Sequence, residues 1–206
     1  MTCYINHTEV PSPTAGDFLN MNRIQTQDSN KSAMDYAMST FKRIAIIGVS
    51  AAGKSVFSRR LASKTKLPLV HMDALFWKGN WSEVPKSTYL KSHDKIIKQG
   101  QWIIEGAIYE HMKNRLERAD LVIYLDYCGL RCACQLIRRW IQHRNTSRPE
   151  LPEQALEQFQ LAFLWKVLTR GERIWIERTI KIAKPRNMRR CRRPQELEQL
   201  VETVFA

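Results

Sequence analysis

The sequence predicts an α/β fold in which a parallel sheet has helices on both faces. From Phe41 onward, short apolar runs alternate with segments of helical periodicity. The first run, Arg43 to Ile47, is continuous and rich in β-branched residues, which is typical of a strand buried on both faces. It leads directly into Gly48 to Ser55, which has the spacing Gly-x4-Gly-Lys-Ser, and a helix is predicted from Lys54.

This spacing is that of a loop that folds around the phosphates of a nucleotide. Its two glycines permit positive φ and leave no Cβ in the way, so backbone N–H groups can point at phosphate oxygens. Lys54 adds a mobile positive charge, the hydroxyl of Ser55 is a ligand for Mg2+, and the helix N-terminus attracts the same anion. An ordinary glycine-containing turn is the alternative, and the flanking strand and helix favour the phosphate loop. The predicted binding residues are Gly48, Ser50, Ala51, Ala52, Gly53, Lys54, Ser55 and Val56.

Composition limits the classes of protein to consider. Residues 1–40 lack an apolar pattern and are rich in polar residues and Pro, so we predict a flexible leader followed by one domain at 41–206. No apolar run has the length of a membrane span, which predicts a soluble, cytoplasmic protein. The net charge of +13 predicts anionic partners: nucleotide phosphates, with nucleic acid left open. The five cysteines, an odd number, are predicted to be reduced and mostly buried, since Cys128-x3-Cys132-x-Cys134 fits no common zinc spacing.

The second unit of the fold is predicted to place an acid beside the loop. After a helix at 54–66, the run 67–72 is a strand candidate that ends at Asp73. Ligands of open α/β sheets bind beyond the carboxyl ends of the strands, so Asp73 is a candidate substrate-side residue. The following segment, 74–81, contains Leu, Phe and two Trp residues. These either form a wall of a substrate pocket or close over the core.

Two further strands also end in acids. A helix at 86–98 precedes a strand at 102–106, in which Glu105 is predicted to assist Mg2+ binding, with a helix-capping carboxylate as the alternative. A short basic helix near 109–118 precedes a strand at 121–126. For its last residue, Asp126, a helix cap or turn is favoured over a role at the nucleotide.

The rest of the chain is basic. A helix at 130–143 carries Arg138 and precedes Arg144 and Arg148, which form either a lid over the transferred phosphate or a solvated face. A helix rich in Leu and Phe then precedes the segment 187–193, which has too many charges for a buried strand. A terminal helix with Pro at its first position is predicted at 194–201.

From about Arg43 to Pro149, the sequence resembles the adenylate-kinase-like P-loop proteins, and most closely the small bacterial group labelled DNA topology modulation proteins. Four segments besides the loop carry this resemblance: 71–77 (His-Met-Asp-Ala-Leu-Phe-Trp), 102–106, 118–126 and the arginines from 138 to 148. The resemblance implies a three-layer P-loop NTPase fold with about five parallel strands and a short basic lid. It also implies ATP and Mg2+, with Asp73 on the substrate side and Glu105 near the metal. Ala51, Ala52 and Val56 depart from the residues that relatives often carry in the loop.

Two functions are compatible with these features. The first is a kinase that moves the γ-phosphate of ATP to a small molecule or nucleotide, with catalytic roles for Lys54, Asp73, Arg138 and Arg144, and with Mg2+ held by Ser55 and Glu105. The second is a nucleotide-dependent protein that binds nucleic acid or regulates it, for which the positive charge and the arginine-rich tail are the reasons.

Overall fold

The computed structural model describes residues 41–78, 81–106, 111–143 and 159–205. The predicted leader, Arg144 and Arg148 lie outside these ranges, so the leader, the basic lid and the division into leader and domain stay predictions. Within the described ranges the predicted α/β class is confirmed, because five strands form one all-parallel sheet flanked by helices. The strands are β1 (Arg43–Gly48), β2 (Leu69–His71), β3 (Trp102–Glu105), β4 (Leu121–Leu125) and β5 (Met188–Cys191).

The structure contains every predicted helix that lies in the described ranges, and two helices that were not predicted, Met72–Phe76 and Arg173–Ala183. The described helices are α1 (Lys54–Thr65), α2 (Met72–Phe76), α3 (Lys86–Ile97), α4 (Met112–Arg118), α5 (Gly129–His143), α6 (Leu161–Leu168), α7 (Arg173–Ala183) and α8 (Pro194–Val204). Within the described ranges, none of them is long and apolar enough to cross a bilayer.

The order of the strands places the phosphate loop at the centre of the sheet. The order is β2-β3-β1-β4-β5, so β1 lies between β3 and β4. Ile46 of β1 pairs with Glu105 of β3, and Gly48 pairs with Leu125 of β4. Because all strands run in the same direction, their carboxyl ends meet at one edge. That edge brings the loop, Glu105 and Asp126 together.

The core explains why the three central strands could be recognised. The side chains of β3 and β4 are buried along the whole strand, and those of β1 are buried after Arg43. Burying one Ile or Leu side chain contributes about 1.5–3 kcal/mol, so continuous apolar runs are stable only in the middle of such a sheet. Helix α1 covers the sheet with Phe57 and Leu61, the two residues that the periodicity placed on its apolar face.

The second strand is shorter than predicted, and this changes the position of Asp73. The strand ends at His71, and Met72 begins the short helix α2, whose first turn contains Asp73. The predicted strand through Met72 is therefore wrong at its end. Met72 is fully buried as the first residue of this helix, so its burial does not require a longer strand. Asp73 still lies next to the carboxyl edge of the sheet.

The charges of 187–193 argued against a buried strand, and this segment contains β5, a strand at an edge of the sheet that is only partly buried. It pairs only with β4, from Val122 opposite Met188 to Leu125 opposite Cys191. An edge strand can expose alternate side chains, and Arg189 is exposed. Arg190 instead lies with its guanidinium carbon 5.0 Å from the centre of the Tyr124 ring, and it forms ion pairs.

The thiols are less uniformly buried than predicted. Cys132 and Cys191 are buried, and burial raises the pKa of each to about 11, but Cys128 and Cys134 are exposed.

Helix α5 begins in close contact with the end of α6. A Cβ on Gly129 would lie 1.8 Å from the carbonyl oxygen of Leu168, so only glycine fits at this crossing.

Candidate functional site

The backbone of the loop between β1 and α1 depends on its two glycines. A Cβ on Gly48 would lie 2.5 Å from the carbonyl oxygen of Leu125, so the chain can pass β4 only with glycine here. Gly53 precedes α1 with a φ of 85°, and no side chain of a described residue caps the helix. The first N–H groups of α1 therefore have no side-chain cap from the described residues, and their binding of phosphate stays a prediction.

Lys54 lies over the loop. Its ammonium group donates a hydrogen bond to the carbonyl oxygen of Val49, with 2.9 Å between the two atoms. The positive charge is thus held beside the same backbone N–H groups. A phosphate that enters the loop meets both of them, because the ammonium is on a flexible side chain and can exchange a carbonyl oxygen for a phosphate oxygen.

Ser55, Glu105 and His71 form a second group at the carboxyl edge. The hydroxyl of Ser55 donates to Oε1 of Glu105 over 3.0 Å, and Nδ1 of His71 lies 2.7 Å from the same oxygen. Burial favours the protonated form of Glu105, but the hydrogen bond from His71, the charge of Lys54 and the hydrogen bond from Ser55 outweigh it and lower its pKa below the ordinary value. The structure therefore holds a buried, ionised carboxylate next to the predicted magnesium ligand. The sequence analysis assigned no role to His71, so its contact with Glu105 was not predicted.

Asp73 follows β2, which lies on the opposite side of β3 from β1 and the loop. Its Oδ1 atom is 3.7 Å from the point that a Cβ on Gly106 would occupy, and Gly106 has a φ of 103°. Burial raises the pKa of Tyr89 above its usual range, Arg115 opposes this shift, and the negative charge of Asp73 adds to it. The interaction places Asp73 and Tyr89 near each other, at the place where the sequence predicted the substrate side.

The aromatic residues after Asp73 form a cluster of edge-to-face contacts. The ring of Phe76 lies 4.7 Å from that of Trp77 and 5.1 Å from that of Tyr89, and Trp77 lies 5.3 Å from Trp81. Phe76, Trp77 and Trp81 are half-buried. They therefore pack against the core on one side and leave part of each ring accessible beside Asp73, which is compatible with both of the roles that the sequence left open.

Arg115 is a residue that the sequence analysis missed. It is fully buried, and its Nη2 atom donates to the carbonyl oxygen of Gly106 over 2.7 Å. Its Nε and Nη1 atoms have no hydrogen-bond partner in the described part of the chain. Burial lowers its pKa to about 10, although Tyr89 and Glu105 oppose the shift. The helical spacing with the buried Met112 and Leu116 is a sequence signal for its burial.

Glu172 was also missed, and it contacts the loop itself. The backbone N–H of Ser50 donates to its Oε2 over 2.7 Å, and the hydroxyl of Ser50 lies 2.9 Å from Oε1. Lys166 forms an ion pair with it at 3.0 Å. Burial would raise the pKa of Glu172, but the hydrogen bond from Lys166 and the charge of Lys54 lower it below its ordinary value. A carboxylate thus occupies a donor group of the predicted phosphate cradle.

Asp126 is neither a helix cap nor a turn residue, and that prediction is wrong. Its carboxylate is buried and forms ion pairs with Arg170, Arg173 at 3.3 Å and Arg190 at 2.6 Å. Arg190 also pairs with Glu177. Asp126 therefore connects β4 with the segment after α6, with α7 and with β5; it lies at the same edge of the sheet as Glu105, but on the opposite side of β1.

The remaining predicted residues lie at the margin of this site. Val56 follows Ser55 in α1, and it is 66% exposed. Arg138 is exposed on α5 and does not contact the loop, whereas Arg144 lies outside the described residues. Helix α5 approaches the loop instead through Gln135, whose side chain ends 3.9 Å from the point that a Cβ on Gly53 would occupy.

Comparison with known proteins gave structural neighbours only. No family model matches the chain, and no curated protein matches it. Among solved structures, it is similar to a protein of Chloroflexus aurantiacus j-10-fl that carries only a provisional kinase description, with 19% identity, a TM-score of 0.48 and coverage of 81% of this chain and 100% of the other.

Two further neighbours are kinases by description. One is shikimate kinase from Acinetobacter baumannii in complex with shikimate, with 12% identity, a TM-score of 0.47, and coverage of 84% of this chain and 96% of the other. The other is deoxyadenosine kinase from M. mycoides with bound dATP, with 14% identity, a TM-score of 0.47, and coverage of 80% and 100%. Similarity at this level does not carry an activity or a ligand from these proteins to this chain.

Proposed function

We propose that this chain is an ATP-dependent phosphotransferase that moves the γ-phosphate of ATP to a small molecule or a nucleotide, with Mg2+ as cofactor. The observation that carries the proposal is the contact between Ser55 and Glu105, because it joins the end of the phosphate loop to a buried, ionised carboxylate on the neighbouring strand. A phosphate loop that lies beside such a group has the two parts that phosphoryl transfer needs, namely a phosphate cradle and a cation ligand.

The residues on the nucleotide side have separate roles in this proposal. The N–H groups from Ser50 to Val56 bind phosphate oxygens, and Lys54 neutralises the outer phosphates. The hydroxyl of Ser55 and the carboxylate of Glu105 are oxygen donors 3.0 Å apart, which fits the preference of Mg2+ for such ligands. The bound ion would neutralise charge on the β- and γ-phosphates. His71 orients Glu105 through its 2.7 Å contact.

The acceptor side is formed by residues beyond β2 and β3. Asp73 orients the hydroxyl or phosphate of the acceptor, and the aromatic cluster of Phe76, Trp77 and Trp81 excludes water beside it. Arg115 fixes the end of β3 through Gly106, and its charge favours an anionic acceptor nearby. Arg138 and Arg144 are proposed to stabilise the charge on the transferred group if they reach it when substrates bind.

The test measures ADP formation from ATP and Mg2+ in the presence of single acceptors from a panel of nucleosides, nucleotides and hydroxylated acids. We expect one acceptor class to stimulate turnover, and Lys54→Ala to remove the stimulated part. Lys64→Ala is the matched control, because Lys64 is exposed in the last turn of the same helix. A protein that binds ATP but shows no stimulation by any acceptor would contradict the proposal.

A second candidate function, nucleotide-dependent binding of nucleic acid, is favoured by one observation. Arg189, Arg192 and Arg193 are exposed in and after the edge strand β5. If this surface binds phosphates, affinity for DNA or RNA should fall steeply with salt, and reversing these three charges should flatten the dependence. Arg190 is left unchanged in this experiment, because it pairs with Asp126. Binding that is weak at low salt, or insensitive to salt, would exclude this function.

A further inference from the structure

A group of metal-ligating side chains lies outside the proposed nucleotide site. It consists of His93 and Asp94, in the second half of α3, and His111, which immediately precedes α4. Nδ1 of His111 lies 2.9 Å from Oδ1 of Asp94, and Nδ1 of His93 lies 3.2 Å from the same oxygen. The three residues each offer one ligand atom, and these atoms all lie within 4.8 Å of one another.

We propose that His93, Asp94 and His111 bind a divalent transition-metal ion of the Zn2+ type, at a site separate from that of the nucleotide. Two imidazoles and one carboxylate are a donor set that suits Zn2+, whereas Mg2+ prefers oxygen ligands alone. With metal–ligand distances of about 2.0–2.2 Å, neighbouring ligands of a tetrahedral ion are about 3.3–3.6 Å apart. The observed separations of 2.9 and 3.2 Å need only small movements to reach this range.

The charged groups around the three side chains have opposite signs. Arg115 acts on His93 electrostatically, and Asp94 lies within hydrogen-bond distance of both imidazoles. The negative charge of Asp94 offsets Arg115, the charged group from α4 that opposes a cation here.

The alternative is a trio joined by hydrogen bonds alone. In that arrangement both Nδ1 atoms carry protons and point at one oxygen of Asp94. The Nε2 atom of His93 is buried without a partner among the described residues in both arrangements, as an acceptor in this one and as a donor when a metal takes Nδ1. A divalent ion bound by both Nδ1 atoms would require each imidazole to carry its proton on Nε2, and it would hold the three side chains together. It would tie α3 to the start of α4, across the stretch of chain that contains Glu105 and Gly106.

The test uses the full chain without a histidine tag, freed of metal by a chelator and titrated with Co2+ as a spectroscopic substitute for Zn2+. We expect d–d absorption typical of fewer than six ligands, saturation at one equivalent, and displacement by Zn2+. His111→Asn and Asp94→Asn should each weaken binding at least about tenfold, since even second-shell changes cost this much. These residues are partly exposed, at 27% and 38%, so the variants should fold, whereas His93 is fully buried.

His143→Asn is the matched control, because it removes a histidine at the far end of α5 and should leave Co2+ binding unchanged. ATP binding measured on every variant separates this proposal from the proposed function, since neither His111 nor Asp94 contacts the loop. Absence of Co2+ binding to the unaltered chain would overturn the site. Binding of Co2+ by both site variants as tight as by the unaltered chain would overturn it as well. So would a thiolate-to-cobalt charge-transfer band, which would assign the ion to the exposed Cys128 or Cys134.

Discussion

At the scale of single residues, Glu172 is the side chain that most affects the proposed nucleotide site. Its carboxylate accepts a hydrogen bond from the Ser50 N–H over 2.7 Å, and a phosphate oxygen would need the same donor. A bound nucleotide must therefore displace an anion that Lys166 and Lys54 also attract. Glu172 then reduces the affinity for ATP in the absence of other changes, because two anions compete for one group of donors.

We predict that Glu172→Gln increases the affinity for ATP by roughly tenfold, which corresponds to about 1.4 kcal/mol and is near the low end for a hydrogen bond to a charged group. Glutamine keeps the shape and removes the charge that competes with phosphate. Calorimetric titration with ATP in the presence of Mg2+ measures the change. Glu198→Gln serves as the control, since Glu198 pairs with Arg60 on the surface. A weaker affinity in the Glu172 variant would show that this carboxylate assists the nucleotide.

Ala51 is a residue whose backbone conformation affects the stability of the loop. It has a φ of 59° inside the phosphate loop, a region in which a Cβ is unfavourable. We predict that Ala51→Gly raises the free energy of unfolding by up to about 1 kcal/mol, because the strain is larger than the entropy that glycine loses. Ala52→Gly is the control and should lower stability, since Ala52 is buried and has no positive φ. Urea denaturation of both variants measures the difference, and equal effects would contradict the explanation.

At the scale of elements, Asp126 joins several parts of the chain through one buried carboxylate. It binds Arg170 after α6, Arg173 in α7 and Arg190 in β5. We predict that Asp126→Asn lowers the free energy of unfolding by about 3 kcal/mol, because three cations lose a buried counter-charge. Arg173→Ala should cost less than about 1 kcal/mol, since its side chain is 41% exposed. Chemical denaturation measures the free energy of unfolding of both variants. An effect of Asp126→Asn as small as that of Arg173→Ala would contradict the central role of the Asp126 carboxylate.

The elements that the sequence predicted well are those whose signal is local. The central strands are continuous apolar runs, and the loop is a fixed spacing of residue types, so both could be found without knowledge of their neighbours. The sequence of β5 alone could not show that it is an edge strand, because that position, which permits charged residues, depends on the order of all five strands. Glu172 was missed for the same reason: it meets Ser50 across 122 residues of sequence, and no local pattern predicts such a contact.

At the scale of the whole molecule, the charge balance determines how the fold responds to acid. The chain has a net charge of +13 at neutral pH, so each carboxylate that is protonated adds to the repulsion among its 33 Lys and Arg residues. Asp120 is one of the carboxylates whose negative charge reduces this repulsion. It accepts hydrogen bonds from the backbone N–H of Lys42 and Arg43 and pairs with the Arg43 side chain at 2.6 Å. Burial would raise the pKa of Asp120, but the contacts with Arg43 lower it below the ordinary value.

A pKa that is lower in the folded than in the unfolded chain means that the unfolded chain binds protons first on acidification. The stability contributed by Asp120 and Glu172 is therefore complete above the unfolded values of about 4 and is lost as the pH falls through the folded values. We predict that the free energy of unfolding in urea decreases continuously as the pH is lowered from about 5 to 3. Asp120→Asn should be less stable at neutral pH and should show a shallower decrease in this interval. A variant that loses stability with the same slope as the unaltered chain would show that the contact of Asp120 with β1 does not contribute to the acid response.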